Sequence, residues 1–496
     1  FGVSTGGSEN STLFVVDVAT GKTIGEPVPR ARDSSPSWRF DSAVLFYRQL
    51  KVLPQGAPPS EVFRDSRAYA RTYHPDGTIE DAAVLGRGLS PGVELEPDDV
   101  PSVVVSPVSP WAIGVVAHGV DREVSLYVAP LAQVRGAVTP WRKLAGPERG
   151  ITDFDLRGEW IYLVTHESAP NYRVVRTSLN RANPYEVATS EMVVAEGERV
   201  VTGIGIAKDA LYVQQAEAGI AHLLRLEFNV KLSNDGPAAR GSAPRRQAKL
   251  PRGATSQRQT SPPQRSLGTR GSAAARSANA SRHPSSTSAR STPRGPAAPA
   301  ALPKTAGIAR ARVVTLPFPG AIQERVTDPL RQGALLRIAG WTEAPAYFAV
   351  DGKSGAVSKT ALLPRSRADF SGIASRQLRV KSHDGVEVPL TIVYPRNTVR
   401  DGGAPLLLDG YGAYGHVQEP SFRPTLLAWL ERGAIFAVAH VRGGGDFGKD
   451  WHLAGRKETK ANSWRDFIAC GDYLVSERWT SRQRLAAMGA SAGGIT

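Results

Sequence analysis

The stretch Leu485-Ala486-Ala487-Met488-Gly489-Ala490-Ser491-Ala492-Gly493-Gly494 joins an apolar run to a G-x-S-x-G motif. A strand followed by this motif is typical of a nucleophile elbow, in which the serine lies on a tight strand-to-helix turn above a sheet. Such a turn needs glycine or very small residues beside the serine. The pattern therefore predicts Ser491 as a nucleophile and the N–H of Ala492 as a donor to an oxyanion. The alternative is an ordinary glycine- and serine-containing turn.

A second glycine-rich loop supports the first interpretation. The segment Asp409-Gly410-Tyr411-Gly412-Ala413-Tyr414-Gly415 follows the apolar run Leu406-Leu407-Leu408. In open α/β sheets, ligands bind at the carboxyl ends of the strands, where this loop would lie. A phenol in such a loop can donate a hydrogen bond to an oxyanion. The alternative is that both tyrosines are packing residues.

Strand-like and helix-like segments alternate from about residue 371 onward. Buried strands are predicted at 405–408 and 435–439, and half-buried strands at 377–381 and 388–394. A helix is predicted over 464–475, with Asn462 and Ser463 as candidate N-caps. This alternation predicts an α/β domain with a largely parallel sheet over 371–496.

The region before residue 365 is predicted to consist of short strands that recur at a regular interval. Equivalent points at Tyr127, Val174 and Leu224 are separated by 47 and 50 residues, while Val15, Arg71 and Tyr127 are 56 apart. The interval from Leu224 to Phe348 reduces to 47 when a 77-residue basic segment is removed. Such a period is typical of a β-propeller. We expect about seven blades over 1–365, with a tandem β-sandwich as the alternative.

The basic segment at 236–312 accounts for the whole positive charge of +15. It contains 15 Lys and Arg residues and no Asp, Glu, Phe, Tyr or Trp, and outside it the basic and acidic residues balance at 46 each. Since it has little apolar surface to bury, we expect a disordered insertion between two propeller strands. Contact with a polyanion or a membrane surface is the alternative, but aromatic residues for base stacking are lacking. We therefore expect no nucleic-acid partner.

Several other classes of protein are disfavoured. The 496 residues include no run of 18 apolar residues, so no membrane span is expected. A single cysteine, Cys470, precludes an internal disulfide. The histidines lack the HExxH spacing of zinc peptidases, and no metal is expected. Because the chain starts at Phe1, we expect the natural N-terminus to lie upstream, which leaves the cytoplasm and the periplasm as open localisations.

The chain resembles the prolyl oligopeptidase family, whose members are α/β-hydrolase peptidases capped by a β-propeller. The resemblance covers nearly all of 375–496 and continues more weakly through Pro170-Asn171-Tyr172-Arg173. The motifs that carry it are Gly410-Tyr411-Gly412, Trp429-Leu430-Glu431-Arg432-Gly433, Val441-Arg442-Gly443-Gly444-Gly445, Gly448, Trp451-His452, Gly455, Asp466-Phe467-Ile468, Tyr473-Leu474, Thr480-Ser481 and the elbow.

This resemblance implies specific roles for site residues. Ser491 would attack the peptide carbonyl, and the Tyr411 hydroxyl and the Ala492 N–H would form the oxyanion hole. Tyr414 would lie in the pocket for the residue before the scissile bond. Short peptides would be the substrates, no cofactor would be needed, and the intact enzyme is expected to be a monomer.

The resemblance also has departures. The basic insertion is not a usual family feature, and an out-of-frame stretch is one alternative for it. The family's acid and base follow the serine in chain order, so we expect both beyond Thr496 and only a partial α/β-hydrolase domain here. Without a base the serine stays an ordinary alcohol, so the chain alone is expected to be inactive. The alternative function is a non-catalytic propeller with a decayed hydrolase domain, and the cleavage preference, after proline, after basic residues or otherwise, stays open.

Overall fold

The structure is a computed structural model that describes residues 1–4, 10–32, 36–180, 189–229 and 307–496. Most of the predicted basic insertion at 236–312, namely residues 236–306, therefore lies outside the described residues.

The N-terminal part of the chain forms a series of antiparallel sheets. A two-stranded pair, β1 (Gly2–Ser4) and β2 (Ser11–Leu13), comes first. Five four-stranded blades follow, each built from consecutive strands: β3 to β6 (Ser37–Trp38, Val44–Gln49, Arg67–Tyr73, Ile79–Gly86), β7 to β10 (Asp99–Val105, Trp111–His118, Val124–Pro130, Arg142–Ala145), β11 to β14 (Ile151–Arg157, Trp160–Thr165, Arg173–Ser178, Glu191–Val194), β15 to β18 (Val200–Ile206, Ala210–Glu217, Ile220–Phe228, Ile308–Val314) and β19 to β22 (Ala321–Thr327, Ala334–Ala339, Ala346–Val350, Val357–Lys359).

The sequence repeat corresponds to the blades. The equivalent points Tyr127, Val174, Leu224 and Phe348 all lie on the third strand of their blades, as does Arg71. The predicted β-propeller is confirmed, and the tandem sandwich is not found. About seven blades were predicted, whereas the described residues contain five four-stranded blades and the terminal pair.

Neighbouring blades share apolar cores. Phe46 and Val84 of the first blade pack with Val116 and Tyr127 of the second. Comparable clusters of buried Val, Ile, Leu and Tyr side chains join the second blade to the third, the third to the fourth and the fourth to the fifth. Because each strand presents alternate side chains to one face, this stacking buries the apolar half of every blade.

In chain order, the basic stretch falls between two adjacent strands of one blade. It joins β17 to β18, which pair antiparallel from Leu223 with Val314 to Phe228 with Ile308. Its predicted end at Arg312 is wrong, because β18 already begins at Ile308. Composition misled here, since Arg312 is a strand residue that forms an ion pair with Glu227 at 3.3 Å.

The C-terminal part of the chain forms one five-stranded sheet in the order β23-β24-β26-β25-β27. Its strands are β23 (Ile373–Lys381), β24 (Glu387–Pro395), β25 (Leu406–Gly410), β26 (Ile435–Ala439) and β27 (Leu485–Met488). The sheet is mixed and not largely parallel, because β23, β24 and β26 pair antiparallel while β25 pairs parallel with β26 and β27. The α/β character that was predicted is present.

Three α-helices accompany this sheet: α1 (Leu427–Leu430), α2 (Gly448–Leu453) and α3 (Ala461–Ser476). Seven 3₁₀ helices complete the described helices: Pro59–Phe63, Leu131–Gln133, Gly136–Val138, Pro147–Arg149, Pro424–Leu426, Lys457–Thr459 and Ser491–Ile495. Cys470 and Leu474 of α3 pack on one face of the sheet, and Leu430 of α1 packs on the other with Phe436. None of the described helices is long and apolar enough to cross a membrane.

One local expectation for this region is wrong. Asn462 and Ser463 lie inside α3 instead of capping it, because their side chains donate to the carbonyls of Ala454 and Arg442.

The strand before the elbow is apolar but largely exposed, from Ala486 to Met488. Among the described strands β27 pairs only with β25, which makes it the edge of the sheet.

Candidate active site

The predicted nucleophile lies at a strand-to-helix turn. Strand β27 ends at Met488, and a 3₁₀ helix begins at Ser491. Ser491 has φ of 53°, a left-handed conformation that a non-glycine residue rarely adopts and that clusters at functional turns. The local geometry is that of a nucleophile elbow.

The glycines of the motif are required by close backbone approaches. A Cβ atom at Gly489 would lie 2.2 Å from the carbonyl oxygen of Gly493. A Cβ atom at Gly493 would lie 2.7 Å from the carbonyl oxygen of Gly410, at the end of β25. The first contact keeps the turn tight, and the second lets the elbow rest against the loop that carries Tyr411.

Tyr411 and Ser491 are brought to the same edge of the sheet. They follow the parallel neighbours β25 and β27. The Thr496 hydroxyl donates to the carbonyl oxygen of Tyr411 at 2.8 Å, which fixes the two loops to each other. The ring of Tyr411 also packs edge-on against His416, with ring centroids 5.4 Å apart.

Three groups at this edge have no hydrogen-bond partner among the described residues: the Ser491 hydroxyl, the Tyr411 hydroxyl and the Ala492 N–H. For Ala492 the reason is its place in the first turn of the 3₁₀ helix, where an N–H has no intrahelical acceptor. Polar groups that are free in this way can bind an incoming ligand.

Tyr414 lies on the same loop and faces a cavity of about 210 Å³. It has φ of 55° and is half exposed. Ala492 and the loop 412–415 line the cavity on the α/β side, and propeller residues 120–123 line it on the other. The cavity therefore lies beside the elbow, between the propeller and the sheet.

The two histidines that precede the elbow have structural contacts. His440 is buried, with Nδ1 2.9 Å from an Asp446 carboxylate oxygen and Nε2 2.9 Å from the Thr391 hydroxyl. His452 donates through Nδ1 to the carbonyl oxygen of Gly443 at 2.8 Å, and burial lowers its pKa. His452 thus supports the glycine-rich loop.

The propeller's contribution to the cavity was missed by the sequence analysis. Glu123 contacts Lys449 Nζ at 2.5 Å and His166 Nε2 at 2.7 Å, and the His166 hydrogen bond is the main cause of its lowered pKa. Arg122 donates to the carbonyl oxygen of Gly415 at 3.2 Å. The contacts of Glu123 with Lys449 and of Arg122 with Gly415 join residues 326 and 293 positions apart, and no local pattern marks them. Tyr172, which also lines the cavity, was noted only through the family resemblance.

A propeller joined to an α/β sheet with a serine elbow defines a propeller-bearing α/β-hydrolase. Residues 420–496 match the model of the prolyl oligopeptidase family, so this part of the chain is similar to that family. The fold is similar to that of a solved prolyl endopeptidase, with a TM-score of 0.71 at 21% identity over 100% of this chain and 59% of that one.

Similar proteins include both sequence and structural relatives. Dipeptidyl aminopeptidase BI from Pseudoxanthomonas mexicana is 37% identical over 149 residues, which are 30% of this chain and 21% of that protein. A prolyl endopeptidase from Elizabethkingia meningoseptica is 24% identical over the whole chain and 57% of its own length. Prolyl oligopeptidase B from Galerina marginata, solved with a 25mer macrocyclization substrate, has a TM-score of 0.72 at 19% identity, covering 99% of this chain and 58% of that one. The chain thus spans less than three fifths of the length of these relatives.

Proposed function

We propose that the protein is a serine oligopeptidase that hydrolyses short peptides through an acyl-enzyme on Ser491. The observation that carries this proposal is the elbow, where a strained Ser491 with a free hydroxyl begins a 3₁₀ helix beside the Tyr411 loop. An exposed hydroxyl on such a turn can approach a carbonyl carbon without rearrangement of the backbone.

The oxyanion of the tetrahedral intermediate would be bound by two donors. The Ala492 N–H and the Tyr411 hydroxyl belong to adjacent loops and have no acceptor among the described residues. Donors that are already in place need no reorganisation as the negative charge develops, which makes this kind of stabilisation large. Tyr414, at the adjoining cavity, would contact the residue before the scissile bond.

The proposal includes the inactivity of the 496-residue chain alone. Among the described residues none hydrogen-bonds to the Ser491 hydroxyl, and His440 and His452 are engaged elsewhere. A serine without a base is a poor nucleophile. The triad acid and base are proposed to lie outside these residues, in a longer product of the same reading frame.

A comparison of chain lengths tests this function. The 496-residue chain and a longer product of the reading frame would be assayed against chromogenic peptides with Pro, Arg or Lys before the scissile bond. We expect turnover only from the longer product, and its loss in Ser491→Ala. Activity of the longer Ser491→Ala form would refute the nucleophile, and activity of the 496-residue chain would refute the missing base.

A non-catalytic propeller with a decayed hydrolase domain is the second candidate. No particular contact in the structure favours it. A longer product that folds, binds peptides and hydrolyses none of them would support it over the peptidase.

A further inference from the structure

The cavity beside the elbow has an excess of positive charge. Five basic side chains line it against two acidic ones, which leaves three positive charges uncompensated. The basic residues are Arg122, Lys449, Arg456, Lys457 and Lys460, and the acidic ones are Asp121 and Glu123.

Two of the five cations are paired across the cavity. Lys449 contacts Glu123 at 2.5 Å, and Arg456 contacts Asp121 at 3.6 Å. Each pair joins the α/β side to the propeller loop. Within each pair the two opposite charges neutralise each other. The charges of Arg122, Lys457 and Lys460 are not neutralised by these carboxylates.

Lys460 is the most informative of these three. Its ammonium donates to the carbonyl oxygen of Gly412 at 2.7 Å and to the Ser463 hydroxyl at 3.1 Å. Both acceptors are neutral, and one of the three ammonium donors is left over. Burial lowers the pKa of Lys460, since no carboxylate of the described residues offsets the cost of removing its charge from water. An anion in the cavity would supply that missing partner.

Arg122 and Lys457 add charge at the rim. Arg122 uses one donor for the carbonyl oxygen of Gly415, and no carboxylate lies within ion-pair distance of it among the described residues. Its charge does favour the ionised form of Asp153, but that carboxylate already accepts the N–H of Ile204 at 2.9 Å. Lys457 is exposed and has no partner in the described part of the chain.

We propose that this cavity binds a carboxylate of the peptide substrate, so that the enzyme prefers peptides with an acidic group near the scissile bond. The inference rests on the proposed function, because a peptide held at Ser491 extends from Ala492 into the same cavity. Arg122, Lys457 and Lys460 supply the charge-assisted donors. The carboxylate is either an Asp or Glu side chain or the free C-terminus of a short peptide.

Binding to the Ser491→Ala form of the 496-residue chain tests this without any turnover. Calorimetric titration would compare a blocked tetrapeptide amide containing glutamate, its glutamine counterpart, and the glutamine peptide with a free C-terminal carboxylate. At least one of the two acidic peptides should bind about tenfold or more tightly than the neutral amide, because hydrogen bonds between charged groups are the stronger class. Which acidic peptide gains affinity identifies the source of the carboxylate.

Matched variants assign the preference to the cavity. Lys460→Met and Arg122→Gln should each remove most of the tenfold advantage, whereas Lys143→Met, at an exposed position on β10, should leave it unchanged. Arg122 lies on an exposed loop, so its variant keeps the test valid if Lys460→Met fails to fold. Equal affinity for all three peptides, no binding of any, or a preference that survives both variants would overturn the inference. Failure of the peptidase proposal would look different, since the longer product would then bind acidic peptides without cleaving them.

Discussion

At the scale of single residues, the site rests on a buried ion-pair network. The guanidinium of Arg442 contacts the Asp466 carboxylate through Nε at 2.9 Å and Nη2 at 2.6 Å, and it also contacts Asp384 at 2.6 Å. The Ser382 hydroxyl donates to the same Asp466 carboxylate at 2.6 Å. Asp466 is fully buried on α3, and Arg442 begins the glycine-rich loop after β26. The network therefore fixes that loop to the helix.

Removal of one partner should be costly. Asp466→Ala leaves Arg442 buried with only the more exposed Asp384, and we expect it to lower the free energy of unfolding by about 3 kcal/mol or more. Asp472→Ala is the control, because Asp472 lies on the same helix but its ion pair with Arg482, beyond the helix, is exposed and should contribute less than about 1 kcal/mol. Chemical denaturation measures both. A similar decrease in the free energy of unfolding in the two variants would show that the buried ion-pair network stabilises the protein no more than an exposed ion pair does.

The phenol of Tyr411 has its own prediction. In a catalytically active longer product, Tyr411→Phe should lower kcat by about a hundred- to a thousandfold, the range found when an oxyanion donor is removed. Peptide binding to the Ser491→Ala form should change little, because the ring stays in place against His416. An unchanged kcat would remove Tyr411 from the oxyanion hole.

At the scale of elements, the loops after β25 and β26 bring two carboxylates together. Glu419 is half-buried, and burial followed by the charge of Asp446 raises its pKa to about 7. Asp446 is buried, and one of its carboxylate oxygens has no hydrogen-bond partner among the described residues. Protonation of Glu419 removes the repulsion between its carboxylate and that of Asp446, so the two loops pack most stably while Glu419 keeps its proton.

This arrangement predicts a pH dependence of stability. An unfolded glutamate releases its proton near its ordinary pKa of 4.5, whereas native Glu419 keeps it to about pH 7. Between these values the native state binds more protons, so stability should fall as the pH rises. Glu419→Gln mimics the protonated form. Its Tm should match the wild type at pH 5 and exceed it at pH 8, and equal Tm changes in both proteins would contradict the prediction.

Elements also show what the sequence could predict and what it could not. Strand β26 was found with its correct bounds, because a fully buried strand reads as a continuous apolar run. The face of α3 was harder: Trp464 and Ile468 are exposed, while Ser463 and Asp466 are buried. Ser463 and Asp466 are buried because both form hydrogen bonds with Arg442. The helix therefore buries polar side chains and exposes apolar ones, and the spacing of apolar residues in the sequence does not indicate this.

The candidate active site also contains some residues whose positions the sequence predicted and others whose positions it did not. Ser491, Ala492 and Tyr411 were placed at one edge of the sheet because a local motif marks each loop. Arg122 and Glu123 come from a propeller turn, and their nearness to the elbow depends on packing between distant parts of the chain. The positions of the local residues were therefore predictable, while the charge of the cavity was not.

At the scale of the whole molecule, Glu123 and Lys449 join the propeller to the α/β part beside the cavity. Glu123 accepts from both Lys449 and His166, so it links α2 to two propeller blades. The backbone N–H of Lys449 donates to the carbonyl oxygen of Pro170 at 2.8 Å. The strength of these contacts would control the opening of the cavity.

The last prediction concerns this link. Glu123→Gln removes the charge that Lys449 faces, and a charge-assisted hydrogen bond contributes about 1.5–3 kcal/mol. Local opening should therefore become about ten- to a hundredfold more frequent. Hydrogen exchange followed by mass spectrometry should show faster exchange in 166–172 and 448–453, with little change in the apolar cores between blades. Glu80→Gln is the control, because its contact with His74 at 3.6 Å lies within one blade and is largely exposed. Faster exchange in both variants, or in neither, would mean that Glu123 does not hold the propeller to the sheet.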